Sequence, residues 1–379
     1  MAIDTAPHVR SRRSMLRLIG IGGATVVVAA TGVAGYRVFD NGVLESGSGT
    51  PYDAWTRWRD DPSPLGAVGA AVLAANPHNT QPWAFRVTPE AVEVFADPAR
   101  ELTAIDPGRR EHHIGLGCAV ENLALALTAR GLGSAVTWMP AAGDPYLMAR
   151  VDVTGAPAAA SPLHDVIGDR HSNRGPYRTE PVDGAVLDGL AGPLPAGIEV
   201  RWFVADAERA ALGALVVDAT VAVIADPGQS EQGFSWFRND RDDIDRHRDG
   251  LTLDGQGMDP LTLSLAKLLP ATSREAGDAF WLEQTTSVHT ATAAAYGVLT
   301  VTDPDDVRTR LDGGRLLQHM HLAATAAGLG LQHMNQVTER IDREREQGTA
   351  STFAPRMAGL LARPGRAALA TFRVGHPVR

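Results

Sequence analysis

Cysteine is nearly missing from this chain: Cys118 stands alone in 379 residues. That excludes an internal disulfide framework, a Cys-rich zinc site and a Cys-ligated iron–sulfur cluster. Positive charge is also short. Lys+Arg total 35 against 44 Asp+Glu, for a net charge of −9. An acidic chain lacks the broad positive field that draws in phosphate backbones, so no nucleic-acid partner is expected. No H-E-x-x-H motif occurs, His112-His113 are adjacent, and His319 and His321 sit two apart on different faces of a helix, so no metal is expected. No G-x-S-x-G elbow offers a nucleophile. The acids of Asp240–Asp245 alternate with arginines, as a solvated face does. What remains is a globular composition, 44% hydrophobic, long enough for one large domain or two medium ones.

The amino terminus reads as a targeting segment. Ser11-Arg12-Arg13-Ser14-Met15-Leu16-Arg17 precedes an uncharged run from Leu18 to Gly35 that holds five glycines and two threonines. Consecutive arginines before a weakly apolar run match the twin-arginine export signal and imply the twin-arginine translocase as a partner. The Gly20-x-Gly22-Gly23 cluster follows those arginines with no strand ahead of it, so it is not read as a dinucleotide loop. Residues 18–35 reach roughly 27 Å as a helix, enough to stay as an uncleaved anchor. No A-x-A site decides for cleavage. Residues 42–51 read as a linker, so residues 1–50 are set apart from the folded part.

The folded part repeats itself. Residues 106–133 begin Asp106-Pro107 and end Thr128-Ala129-Arg130-Gly131-Leu132-Gly133; residues 303–330 begin Asp303-Pro304 and end Thr325-Ala326-Ala327-Gly328-Leu329-Gly330. Each block reads as an Ala/Leu-rich helix closed by glycine and followed by an extended segment, Ala135–Met139 or Leu331–Gln336. Later strands match too, at Ala149–Val151 and Phe372–Val374. The chain is therefore expected to be two related halves, 51–160 and 161–379, packed as a pseudo-dimer. A polar insertion near 226–260 carries Trp236, Phe237 and the charged run Arg238–Asp249.

Two clusters carry chemistry. Asn76-Pro77-His78-Asn79-Thr80-Gln81-Pro82-Trp83 sets carboxamides between stiffening prolines. Amides donate and accept, which suits the edge of a planar heterocycle. The same stretch also reads as a turn into a strand Ala84–Val87, with Trp83 plugging the core. Arg170-His171-Ser172-Asn173-Arg174 places two arginines and a hydroxyl where they can converge on one anion; a solvated charge run is the alternative.

In this order on one duplicated chain, these motifs resemble the nitroreductase family of FMN-dependent oxidoreductases, in particular its fused, two-half Acg-type branch. The resemblance runs from about residue 62 to the end. It implies an α+β nitroreductase-like fold, with helices around mixed β-sheets, and FMN as cofactor. Carried over residue by residue, Arg170 and Ser172 grip the phosphate, and Arg174 lies at N1 and O2 of the ring. Asn76, Pro77 and Asn79 contact the ring from the other half. Met334 and Asn335 belong to the segment beside N5, with the Asn335 backbone N–H pointing to it. His171 is assigned packing only. Catalysis then needs no side-chain nucleophile, because hydride moves through the flavin. The acceptor is a nitro- or quinone-like small molecule, and the donor NAD(P)H or a membrane carrier. In this branch the insertion resembles a lid, and a closed lid implies the alternative of an exported protein that sequesters FMN. Family members continue past the last strand into basic residues; here either Arg379 or Arg373 substitutes, or the phosphate is held more loosely than is usual in the family.

Overall fold

A computed structural model describes Val43, residues 47–159 and residues 161–378. The paired arginines at 12 and 13, the run 18–35 and Arg379 lie outside the described residues.

The chain is α+β. In the first half a short apolar helix, α1 (Pro64–Ala71), starts on a proline, whose fixed φ and missing N–H suit a first helical turn. Strands β1 (Trp83–Val87) and β2 (Ala91–Ala96) form a hairpin, with Trp83 opposite Ala96. Helix α2 (Arg110–Ala129) follows, then β3 (Ala135–Trp138) and β4 (Leu147–Asp152). The sheet order is β1-β2-β4-β3.

The second half begins its sheet with β5 (Glu199–Phe203), then runs through α3 (Asp206–Ala225) and α4 (Pro227–Ser235). Within the insertion, β6 (Phe237–Arg238), α5 (Arg241–His247) and β7 (Leu251–Thr252) make a small excursion that ends before α6 (Pro260–Leu268). Next come β8 (Ala295–Val301), α7 (Val307–Ala326), β9 (Gly330–His333), α8 (Gln336–Gln347), α9 (Phe353–Leu361) and β10 (Ala367–Gly375). The order of this sheet is β5-β8-β10-β9. Element for element, that is the order of the first sheet.

Mixed sheets were expected, and the structure corrects this. Every pairing in the two four-stranded sheets is antiparallel. Parallel contacts occur in the β6–β7 ribbon and at the single bridge from Ser172 to Leu331.

The two 20-residue helices α2 and α7 begin and end 197 residues apart and cross at the centre of the molecule. Glycine permits the crossing. A Cβ on Gly117 would sit 2.1 Å from the Leu311 carbonyl oxygen, and one on Gly314 would sit 2.1 Å from that of Ile114. Both pairs keep the same offset. Beside the crossing, Gln318 donates to the Asn122 carboxamide at 2.8 Å and accepts from the Ala75 N–H at 3.1 Å. Arg110 of α2 holds Asp342 of α8 through two bonds of 2.6 and 2.8 Å. The seam between halves is thus a packed interior, with Leu116, Leu123, Leu311, Leu317 and Met320 all buried. Among the described residues no single helix is long and apolar enough to cross a bilayer.

Candidate functional site

The amide loop leaves α1 and turns back into β1. Its turn needs left-handed backbone at His78, Asn79 and Gln81. The Asn76 carboxamide accepts from the Gln81 N–H at 2.9 Å and donates to the Ala74 carbonyl at 3.1 Å. Asn79 accepts from the Gln81 side chain at 2.7 Å and donates to the Gly250 carbonyl at 3.0 Å, while Gly250 N–H returns a bond to the Asn79 carbonyl. One donor and one acceptor of each asparagine are therefore spent on the loop and on the insertion. Pro77 packs closely on α2 at Gly115, where an added Cβ would come within 3.2 Å of both Asn76 and Pro77. Trp83 is buried in the core, so this segment is both the strand entry and the amide-bearing loop.

The arginine-rich block docks along the free edge of β9. Ser172 bridges to Leu331, and the Asn173 N–H donates to the Leu331 carbonyl at 3.0 Å. Arg170 turns inward, 5% exposed, and donates to the Leu73 carbonyl of the first half at 3.0 Å. Its Nη1 lies 3.5 Å from His321 Nδ1, and its buried Nε has no partner. Arg174 is half-buried and donates to the Gly255 carbonyl of the insertion at 2.9 Å.

Arg373 is one of the alternatives for the phosphate. The structure gives it other work. Fully buried on β10, it donates to Gln332, to the carbonyls of His289, Asn173 and Gly175, and to Thr292. Its guanidinium also stacks over Tyr177 at 4.1 Å. With its donors committed, Arg373 is the buttress of the 170–175 loop.

Around these cations stand histidines that burial keeps neutral. His333 Nε2 lies 3.3 Å from His321 Nδ1, and His321 Nε2 lies 3.0 Å from the His171 carbonyl. His289 packs against Gln332 at 3.4 Å with Nε2 unpartnered. Desolvation first, then the charges of Arg170 and Arg174, push His333 down to about 3. His289 falls to about 3 by desolvation and by Arg373 and Arg174. His78 falls to about 4 by desolvation and Arg174. His321 is lowered well below the ordinary range, again by burial and then by Arg170. The guanidiniums suffer similarly: burial pushes Arg170 down to about 10, and Arg174 is lowered by burial and by Arg373. Among the described residues no carboxylate pairs with Arg170, Arg174 or Arg373, whose hydrogen bonds go to carbonyls and neutral side chains.

The insertion bonds to both predicted motifs, to Asn79 through the Gly250 carbonyl and to Arg174 through the Gly255 carbonyl. Asn335 stands at the head of α8, where its carboxamide accepts from the Thr371 N–H at 2.9 Å. Met334 is different from its expected role. Its side chain is 1% exposed within the second apolar cluster, leaving only backbone for a ligand, and its N–H already donates to Thr371. The insertion lies over both loops. Beyond Asn79–Gly250 and Arg174–Gly255, Asp249 is shared by Arg100 of the first half at 2.8 Å and Arg238 of the insertion. Among the described residues no group of three metal-ligating side chains assembles. A hollow lined by Leu65, Gln81, Trp83, Phe85 and Arg100 opens beside the amide loop and contains none of the arginine cluster.

Sequence reasoning missed His78, His289, His321, His333 and Gln332 as a set. They are scattered over 256 positions of chain. No spacing rule joins them as a set, because each lies on a different loop, helix or strand or on opposite faces of one.

No family profile matches the chain. A Mycobacterium tuberculosis protein bearing the name NAD(P)H nitroreductase is 33% identical over 129 residues, 34% of this chain and 38% of that protein. The NAD(P)H nitroreductase acg of the same species is 33% identical over 90 residues, 24% of this chain and 27% of its own length. The chain thus matches well under half of the length of these relatives. Among solved structures, nitroreductase A from Vibrio parahaemolyticus aligns with a TM-score of 0.31 at 14% identity, over 58% of this chain and 69% of that one. A nitroreductase with bound FMN from Bacteroides fragilis aligns with a TM-score of 0.33 at 11% identity, over 58% and 90%.

Proposed function

We propose that this chain is an FMN-dependent oxidoreductase of the nitroreductase type, with one site at the seam between two related halves. The observation that carries the reading is that Arg170, Arg174 and Arg373 gather around the 170–175 loop among buried histidines, with no carboxylate paired to any of them among the described residues. Buried cations without counter-charge are costly until an anion joins them. Flavin mononucleotide brings a phosphate and a ring edge that gains negative charge on reduction. The residues fit such a group: Arg170 keeps a buried, unpartnered Nε, and Arg174 spends one donor on Gly255 and retains others.

When bound, FMN supplies hydride acceptance and delivery. The chain's residues bind, orient and exclude water. Arg170 and Ser172 would hold the phosphate, and Arg174 the pyrimidine edge, where its cation favours added negative charge. The loop of Asn76, Pro77 and Asn79 would close on the ring from the first half. The head of α8 at Asn335 would lie at its N5 side, with Met334 contributing backbone alone. The acceptor would be a nitro- or quinone-like small molecule, and the donor NAD(P)H or a membrane carrier. The common strand order, the shared helix offset and the Gly117–Gly314 crossing support an origin of halves 51–160 and 161–379 by duplication. Export through the twin-arginine translocase belongs to this proposal. Arg12 and Arg13→Lys should leave the protein in the cytoplasm, as fractionation would reveal; normal export removes the assignment.

The seated insertion favours a second reading, in which the protein stores FMN and turns it over little. Its carbonyls at Gly250 and Gly255 already occupy Asn79 and Arg174. One experiment separates the two. The purified chain is offered FMN and then anaerobic NAD(P)H or dithionite. A yellow 1:1 complex bleached by NAD(P)H supports the enzyme, and one bleached by dithionite alone supports storage. A folded preparation that stays colourless sinks both. Arg174→Ala should weaken FMN binding roughly tenfold or more and lower the potential of the bound flavin; unchanged values take Arg174 out of the site.

A further inference from the structure

A short helix near the start of the described chain, Asp53–Arg57, has no part in the reading above. It precedes the stretch over which the chain resembles nitroreductases. Even so, it seats on the approach to the arginine-rich block of the second half. Gly168 admits it: a Cβ there would meet the Trp58 indole nitrogen at 3.1 Å and the Trp55 carbonyl oxygen at 3.2 Å. Trp58 ends the helix and anchors it, buried and edge-on to His164 with ring centroids 5.0 Å apart. Trp55, half-buried, lies against a charge. The guanidinium carbon of Arg170 stands over its ring, 5.8 Å from the centroid. A guanidinium within about 6 Å of an indole face is attracted by the ring quadrupole, most strongly where water is excluded. Arg170 is 5% exposed, so water is excluded here. Its hydrogen bonds do not fix it. Nη2 donates to the Leu73 carbonyl at 3.0 Å, Nη1 reaches His321 Nδ1 only at 3.5 Å, and the buried Nε has no partner among the described residues. One good bond lets a guanidinium pivot, and an indole against its face is a stop to that pivot.

We propose that Trp55 is a positioning residue for the anion site: from the first half, its indole holds the Arg170 guanidinium in the orientation that leaves Nε to a bound anion. The identity of the anion rests on the FMN reading; the pairing of Trp55 with Arg170 does not. The indole supplies no counter-charge and no hydrogen-bond acceptor, so it steadies the cation without competing for the donors an anion needs. Leucine at this position would keep apolar packing but lose the quadrupole, whereas phenylalanine would retain a weaker one.

The test has two arms on the full chain. In the first, the Arg170 Nε–H is followed in nitrogen–proton correlation spectra without ligand, with Arg170→Lys identifying its resonance. The ring current of the indole should displace this resonance. Trp55→Leu should therefore move it toward the ordinary arginine position, and Trp55→Phe only part of the way. An unmoved resonance in Trp55→Leu overturns the proposal whatever the cofactor is. In the second, affinities for FMN and for riboflavin, which lacks the phosphate, are measured on the same proteins. Trp55→Leu should weaken FMN binding roughly tenfold and riboflavin binding little, so that the preference for FMN shrinks. Trp55→Phe should restore most of that preference. A tryptophan that merely props up the fold would weaken both flavins together and lower Tm. Equal losses for the two flavins, or no loss of FMN, overturn the proposal. Should wild type bind no FMN, the functional reading falls by itself, and inorganic phosphate becomes the probe. An Arg170 resonance that phosphate shifts at lower concentration in wild type than in Trp55→Leu then sustains the positioning role. One that phosphate leaves in place, or shifts equally in both, ends it.

Discussion

Arg373 shows how much one buried residue can organise. Its guanidinium ties β10 to the carbonyls of Asn173 and Gly175 on one side and of His289 on the other. Truncation leaves those acceptors without partners inside the protein, where each lost bond to a charged group costs about 1.5–3 kcal/mol. Arg373→Met should therefore lower stability by several kcal/mol, on the order of 4, and disorder the 170–175 loop. A urea midpoint within error of wild type would show that the carbonyls find water instead. Arg170 differs, because its buried Nε has no partner among the described residues while its other nitrogens reach Leu73 and His321. The residue most open to a ligand is thus the less structural of the two.

Among elements, the α2–α7 crossing sets the position of everything else. Backbone meets backbone at Gly117 and Gly314, so any side chain there pushes the two halves apart. Gly117→Ala should cost about 3 kcal/mol or more, since the clash is with a carbonyl that cannot rotate away. Gly328, which closes α7 at φ 70° with open space around it, is the control. Gly328→Ala should cost only about 1 kcal/mol, the price of a left-handed alanine. Equal losses from thermal melts of the two variants would mean that the crossing is looser than described. The lid follows the same logic at lower cost. Its bonds to the first half include the Asp249–Arg100 pair, two bonds at Gly250 and the Gln232 carboxamide, which accepts from the Ala104 and Ile105 N–H groups, and on the proposed function Asp249→Ala should speed FMN exchange.

For the whole molecule, the seam stores protons. Burial first, with the Asp342 carboxylate adding to it, raises Asp106 to about 7 against the His112 and Glu111 N–H groups, and burial raises Glu339 of α8 to about 7. Glu111 of α2 is raised well above its ordinary value by burial and by Glu339. The folded state therefore binds more protons than the unfolded chain once pH exceeds the ordinary carboxylate range. Stability contributed by these groups is present below about 4.5 and is lost as pH rises through about 7. The buried histidines act in the opposite direction. His112, lowered to about 4, and His113, lowered to about 3, favour the folded state as pH rises toward 6.5. Glu339→Gln should gain on wild type as pH goes from 5 to 7.5, read from urea midpoints at both values. A constant difference would place the Glu111–Glu339 pair in solvent.

Much of the architecture was legible in the chain. Glycine-closed helices at matching offsets, strand segments at Ala135, Ala149, Leu331 and Phe372, and a proline-flanked turn before Trp83 depend on local propensity and periodicity, and those act through neighbours in sequence. The arginine block at 170–174 left two readings open in sequence, a converging anion motif or a solvated charge run, because spacing says which groups are adjacent and not where they point. Other features were decided only by the tertiary structure. The mixed sheets expected from the family became antiparallel ones, because pairing partners are chosen across long stretches of chain. Arg373, one of the alternatives for the phosphate, is taken up as a buttress, and the Met334 side chain lies in the core and leaves only its backbone toward a ligand, because burial and partner supply are set by what packs opposite. The histidines around Arg174 carried no pattern at all. Sequence determines which groups the chain can offer; desolvation and the sum of distant charges determine which protonation state each takes, and these exist only once the halves have closed on one another.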